Sequence, residues 1–361
     1  MVVLRSLALS TAILVAGACF CLSAKADATD EAEFVLRLAH SFPPNHSLVR
    51  NATLIWMNKV IERTSGRVAF DYFPSEQLGK AKDLLSLTQS GVVDISYITA
   101  GLMSDKLPLA AVAELPEPFE TACQGTLAYW QLAKKGGVID RREFEPLGVR
   151  ALLVLVMPPY QIYMAKDPIT SSQDFGGRKI RSAGGAKSLV VQALGGVPVF
   201  IPGPEILEAL SRGTVDGAML SHPSVTDYDL QHDVKYATYG ENFGSAVTAH
   251  MISLKDFNAL PPDIQNILVE AGEEVTLSSC SEIDAEAEHS VSTIKDAGLT
   301  YVRLSPEDHE QVVSELSGIG RDWAADLDRR RRAGTEVLQA FRRALRQVIA
   351  DQTSIAAETQ D

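Results

Sequence analysis

Arg181 is the residue whose type and setting point most directly to chemistry. It lies in the stretch 174–185, DFGGRKIRSAGG. Gly176 and Gly177 supply a tight turn, 179–182 runs on as a short strand, and Ala183-Gly184-Gly185 breaks it and opens a helix. Side chains alternate along a strand, so Ile180 faces one side and Lys179 and Arg181 the other. Arg181 then sits at the strand's carboxyl end, which in an open α/β sheet faces the ligand crevice. A guanidinium there can hold a carboxylate through two parallel hydrogen bonds, which an ammonium cannot do. The competing reading is a surface arginine in a mixed-charge turn.

Four more residues stand near the carboxyl ends of expected strands: Tyr97, Tyr160, Ser221 and His222. For Tyr97 and Tyr160 the alternative is a core aromatic, and for His222 a solvent-facing loop. The seven histidines are scattered and have no ligand spacing. His289 and His309 read as surface residues on helices. The sequence has no Walker A loop, no GxGxxG after a strand, no HExxH, no paired CxxC and no GxSxG. No catalytic residue, metal site or cofactor is therefore assigned. Nothing argues for an enzyme, although the pattern does not exclude one.

The elements that must position these residues come in two similar runs. In the first, strands at 34–39, 68–73 and 92–97 alternate with helices at 47–64 and 80–90. In the second, strands at 151–157, 179–182 and 197–201 alternate with helices at 186–194 and 204–211. Gly213-Thr-Val-Asp-Gly217 echoes Gly91-Val-Val-Asp94. Such alternation is the signature of parallel sheets covered by helices. The last third is helical. One helix runs from Pro261 to Gly298 without a breaker, about 50 Å at 1.5 Å per residue, long enough to cross two lobes. A short strand is expected at 301–304 and further helices at 306–349. Arg329 to Arg332 reads as a solvated helix face with i,i+4 ion pairs, because Asp326 and Asp328 precede them at that spacing.

The amino terminus reads as a secretory signal peptide over 1–26. Arg5 precedes an apolar run, and Ala24-Lys25-Ala26 forms a cleavage site. A weaker lipoprotein box would tether the chain at Cys19 instead. The whole sequence of 361 residues carries a net charge of −13. Residues 1–26 hold two basic residues and no acid, so the remainder stands at −15. That excludes nucleic acid and anionic membrane as natural partners. It also requires that any anion be held by local positive charge. Cys123 and Cys280 remain after cleavage and either form a bridge or stay as separate buried thiols.

Taken together, several stretches resemble the solute-binding proteins of TRAP transporters, the DctP type. They include Leu38-Ala-His40, Phe73-Pro-Ser-Glu-Gln-Leu-Gly79, the run from Pro168 to Arg181, Gly195-Gly-Val-Pro-Val199 and Gly213-Thr-Val-Asp-Gly217. The resemblance covers most of the chain after the signal peptide. It implies an α/β, two-lobed periplasmic binding protein fold with a central ligand cleft and a long helix spanning both lobes. The expected boundaries are lobe I at 27–153 with 246–288 returning to it, and lobe II at 154–245 with 289–361 returning to it. The implied function is capture of a small organic anion in the periplasm and its delivery to integral membrane subunits, by a monomer that closes around its ligand. An exported enzyme or a sensor partner on the same scaffold is the alternative.

In that family the arginine ending the G-x-K-I-R strand clamps the ligand carboxylate, and the matching residue is Arg181. Two departures stand out. Tyr160 occupies a place where many acidic-sugar and dicarboxylate binders carry a second arginine. Residues 218–222 read AMLSH, where an asparagine is common. Both imply a less polar pocket with one strong anion site, better suited to a monocarboxylate with an apolar or aromatic body.

Overall fold

The computed structural model describes residues 32–358, so the expected signal peptide and Cys19 lie outside it. In chain order the first elements are β1 (Phe34–Ala39), α1 (Leu54–Arg63), β2 (Val68–Phe73), α2 (Leu84–Gln89), β3 (Ile95–Thr99), α3 (Ala122–Ala133) and β4 (Val149–Val156). There follow β5 (Gln161–Met164), β6 (Lys179–Ser182), α4 (Ala186–Ala193), β7 (Val197–Phe200), α5 (Ile206–Ser211), β8 (Gly217–Leu220), α6 (His222–Asp227) and β9 (Tyr236–Thr238). The chain closes with β10 (Val247–Ser253), α7 (Leu254–Ala259), α8 (Pro262–Asp296), β11 (Thr300–Val302), α9 (Pro306–Leu316), α10 (Ile319–Arg329) and α11 (Gly334–Glu358).

The strands form two sheets. The first has the order β2-β1-β3-β10-β4 and the second β11-β9-β5-β8-β6-β7. Neither is purely parallel, as the alternating pattern had suggested. β10 runs antiparallel to β3 and β4, and β5 runs antiparallel to β8 and β9. The chain passes from sheet to sheet between β4 and β5, between β9 and β10, and again between α8 and β11.

β4 reads Val-Arg-Ala-Leu-Leu-Val-Leu-Val and is buried along nearly its whole length, as an apolar run covered on both faces should be. α3 and α8 pack against it. At the α8 contact the helix carries Gly272, where a Cβ would collide with the carbonyl oxygen of Leu152. α8 starts with proline in its first turn, a position that has no helical N–H partner to lose, and Gly298 at φ +103° follows its end. Its buried stripe, from Ile264, Leu268, Ala271 and Val275 to Ile283, Ala287 and Ile294, keeps helical spacing. The helix touches α1, α3 and β4 on the first-sheet side and α6 on the second.

Within 289–361, β11 joins the second sheet, whereas the last helix packs elsewhere. α11 packs on α3 and α10, burying Val337, Leu338, Phe341 and Leu345 in the larger hydrophobic core. Cys123 on α3 and Cys280 on α8 form a disulfide, with their Cα atoms 4.7 Å apart.

Candidate ligand-binding site

Arg181 lies on β6, whose neighbours are β7 and β8. The strand is short because Gly184, at φ +82°, turns the chain at once into α4. The turn must be glycine, since a side chain there would press on Gly101 of the first lobe and on Phe200. Arg181 is 4 % exposed. Its Nε donates to the Ile201 carbonyl at 2.8 Å, and Nη1 makes a long contact of 3.4 Å to that of Met219. No carboxylate lies within ion-pair distance of it among the described residues. Burial lowers its pKa, yet an arginine remains charged even so. A buried, hydrogen-bonded cation without an anion is costly unless an anion completes it.

The cavity onto which Arg181 opens is lined from both sheets and from the crossings between them. β3 contributes Tyr97 and Thr99, β10 Thr248, and the loop after β1 Phe42 and His46. From the second sheet come Arg181 and Leu220, with Ser224 and Tyr228 from α6 and the residue after it. Met157, Tyr160 and Ala246 belong to the crossings.

Three of the five residues expected at the cleft therefore share one cavity: Arg181, Tyr160 and Tyr97. Burial raises the pKa of the Tyr97, Tyr160 and Tyr228 hydroxyls, and the Arg181 charge works against that rise at Tyr160 and Tyr228. All three are neutral hydrogen-bond donors near pH 7. The Tyr97 hydroxyl has no partner among the described residues.

Ser221 and His222 do not line the cavity. Ser221 precedes α6 and its hydroxyl lies 2.9 Å from that of Ser224, which does face the cavity. His222 is the first residue of α6, so the strand alternation that would bring it forward ends one residue earlier. Its Nδ1 is hydrogen-bonded to the Tyr163 hydroxyl, and its ring sits among Tyr163, Tyr239 and Tyr301. Burial brings its pKa down to about 4.

Sequence reasoning missed the aromatic wall. Phe42 stacks on His46 with centroids 3.9 Å apart and planes at 5°. Tyr97 and Tyr228 approach Phe42 at 5.2 Å and 5.9 Å, and His40 stacks behind Tyr97 at 4.0 Å. The available signal was the position of Phe42 and His46 directly after the carboxyl end of β1, where crevice residues collect. One cation in an aromatic, largely apolar cavity can bind a single carboxylate and stack a planar body. It offers no second cation to a dianion.

Residues 38–326 match the family described as DctP, bacterial extracellular solute-binding protein, family 7. The outer membrane transporter protein TsaT of Comamonas testosteroni is 30% identical over 196 residues, which is 54% of this chain and 56% of that protein. A TRAP solute-binding protein from Rhodoferax ferrireducens T118, solved with copurified benzoate, superposes with a TM-score of 0.81 at 22% identity, covering 88% of this chain and 99% of that one. A TRAP periplasmic solute-binding protein from Bordetella bronchiseptica, solved with bound (R)- and (S)-mandelate, gives 0.79 at 24% identity, covering 87% and 99%. With the family matched over most of its length and the two-lobed fold shared with these receptors, the chain belongs to the DctP family of solute-binding proteins of TRAP transporters.

Proposed function

We propose that this protein is a periplasmic receptor for an aromatic monocarboxylate, which it delivers as a monomer to the integral membrane subunits of a TRAP transporter. Arg181 holds the carboxylate, the hydroxyls of Tyr97 and Tyr160 donate to it, and Phe42, His46 and Tyr228 pack on the ring. The protein closes around the ligand and returns it chemically unchanged. The observation that carries this reading is Arg181, a buried cation without an acidic partner, opening onto an aromatic cavity built from both sheets. The benzoate and mandelate bound by the two structural neighbours are consistent with it. A signal peptide and an acidic mature chain accord with a periplasmic receptor whose positive charge is local.

A thermal-shift screen of benzoate, mandelate, phenylacetate, lactate, succinate and galacturonate tests the reading. A ligand at 100 times its dissociation constant stabilises by about 2.7 kcal/mol. The aromatic monocarboxylates should raise the unfolding midpoint and succinate should not. A response to succinate or galacturonate alone would overturn it.

A further inference from the structure

Ser47 and Asp227 meet from the two lobes. Ser47 follows β1 in the first-sheet lobe and is fully buried. Asp227 ends α6 in the other lobe, with its side chain 6 % exposed. Its carboxylate accepts from the Ser47 N–H at 2.8 Å and from the Ser47 hydroxyl at 2.5 Å, one bond on each oxygen. The chain crosses between the sheets after β4, after β9 and after α8, and neither residue lies on any of these connections. The contact is therefore free to part when the lobes part. Neither residue lines the cavity, yet each is the chain neighbour of one that does. His46 directly precedes Ser47, Tyr228 directly follows Asp227, and the two rings stand edge-on with centroids 5.6 Å apart.

The carboxylate depends on Ser47. His46 Nδ1 lies 3.4 Å from Asp227 Oδ2, but it accepts the Leu48 N–H at 3.3 Å and so has no proton to give. Burial holds that imidazole neutral, with its pKa down at about 3. Arg50 and Glu286, 3.7 Å apart, act on Asp227 in opposite senses. Burial raises the Asp227 pKa to about 6, and the two Ser47 donors work against the rise. In an open cleft such a carboxylate is hydrated. Closure takes its water away, and Ser47 replaces it with two charge-assisted bonds. A contact made in only one of two conformations shifts the equilibrium toward that conformation, and apparent affinity follows the fraction able to close.

We propose that Ser47 and Asp227 form the clasp of the closed cleft, and that Asp227 is a positioning residue, which sets how long an acid is held without touching it. Arg181 selects the carboxylate. The clasp holds the His46 and Tyr228 walls together. The inference rests on a receptor that closes around its ligand, as read above, and not on that ligand being aromatic.

The test is calorimetric titration and stopped-flow kinetics of the full mature protein with benzoate, and with succinate and galacturonate should benzoate not bind. Ser47→Ala takes one donor from a carboxylate that closure buries. It should weaken binding about tenfold or more, nearly all of it in the dissociation rate, and by the same factor for each acid that binds. Asp227→Ala removes the acceptor, and in that background Ser47→Ala should change affinity by less than about twofold. Without ligand both variants should unfold close to the wild-type midpoint, since the open form does not make the clasp. Three results overturn it: unchanged affinity in Ser47→Ala, an equal loss with and without the Asp227 carboxylate, or a midpoint lowered as much without ligand as with it. Each leaves Arg181 and the receptor reading intact. If none of the three acids binds, the proposed ligand class falls, and amide exchange at Ser47 still decides the clasp. Protection that Asp227→Ala abolishes upholds it, and fast exchange in both proteins overturns it.

Discussion

Lys187 Nζ lies 2.6 Å from Glu114 Oε2, and neither side chain has any solvent exposure. Lys187 is on α4, two residues past the glycine pair that follows β6, and Glu114 comes from the segment between β3 and β4. The pair thus joins the lobe that carries Arg181 to the other lobe. Lys187 Nζ also donates to the Ser245 carbonyl at 3.2 Å, and Glu114 Oε1 accepts from the Gly101 N–H at 3.0 Å. Burial pulls the lysine pKa down and Glu114 holds it up.

Breaking such a pair on one side strands a buried charge and costs about 3–5 kcal/mol, whereas replacing both partners is far milder. Lys187→Met should lower the denaturant midpoint sharply. Adding Glu114→Gln should recover most of the loss. A double-mutant cycle by equilibrium unfolding reads the coupling, and additive effects would mean that the two charges do not act on each other.

Arg181→Ala should weaken ligand binding at least about thirtyfold, since truncating one side of a buried charge pair costs about 2–5 kcal/mol. Arg181→Lys should also lose affinity, because the planar fork is gone. Arg178→Ala should change little, as Arg178 pairs with Asp167 at 3.2 Å on the surface. Titration calorimetry settles this once circular dichroism shows that each variant folds, a needed check because Arg181 also ties Ile201 to β6. Equal losses at Arg178 and Arg181 would remove the clamp.

His250 should make the fold sensitive to acid. It is buried on β10 with Nε2 3.0 Å from the Thr53 hydroxyl, and burial drops its pKa to about 3. The folded value is below the unfolded value of about 6.5, so the unfolded chain takes up the proton first. The stability contributed is complete above about pH 6.5 and drains away as the pH falls toward 3, by about 1.4 kcal/mol per unit. Asp227 and Glu143, raised by burial to about 6 and about 7, shift in the opposite sense in wild type and variant alike. Between pH 6 and pH 4 the wild type should therefore lose about 2 kcal/mol more than His250→Gln. Thermal unfolding across that range would show parallel curves if His250 were charged in the fold.

Removing the disulfide should affect stability and not recognition. The bridge closes 157 residues and neither cysteine lines the cavity. Chain entropy alone assigns such a loop about 5 kcal/mol, and measured values more often fall at about 2–4. The Cys123→Ser, Cys280→Ser variant should unfold at a lower midpoint and keep its dissociation constant. A folded variant that no longer binds would show that the bridge shapes the cavity.

Local pattern revealed part of this architecture and missed another part for a physical reason. β1, β2 and β4 are marked by alternation or apolar runs, β6 by the glycines on either side of it, and α8 by its stripe and its terminal proline and glycine. β10, with Thr248 and His250 inside it, carries no such mark. Its burial comes from strands that lie far away in sequence, β3 and β4. β5 and β9 are too short, at four and three residues, for a period to emerge. In the same way Arg181, Tyr97 and Tyr160 were readable from strand ends, while the placing of Phe42 and His46 depends on how an irregular loop folds over Tyr97. The displacement of His222 turned on a single residue, the point at which a strand gives way to a helix.

The position of β10 has a further consequence for how the chain comes into being. It lies between β3 and β4, in the interior of the first sheet, but it is made only after β5 to β9 of the second. Neither sheet is a continuous stretch of sequence, so neither half can be excised and expressed as one piece. During synthesis the first sheet stays open until residue 253 has emerged, with a gap between β3 and β4. Long-range closure of this kind is slow. A nascent chain that is slow to lock remains threadable for longer, which would suit the export that the proposed periplasmic role calls for.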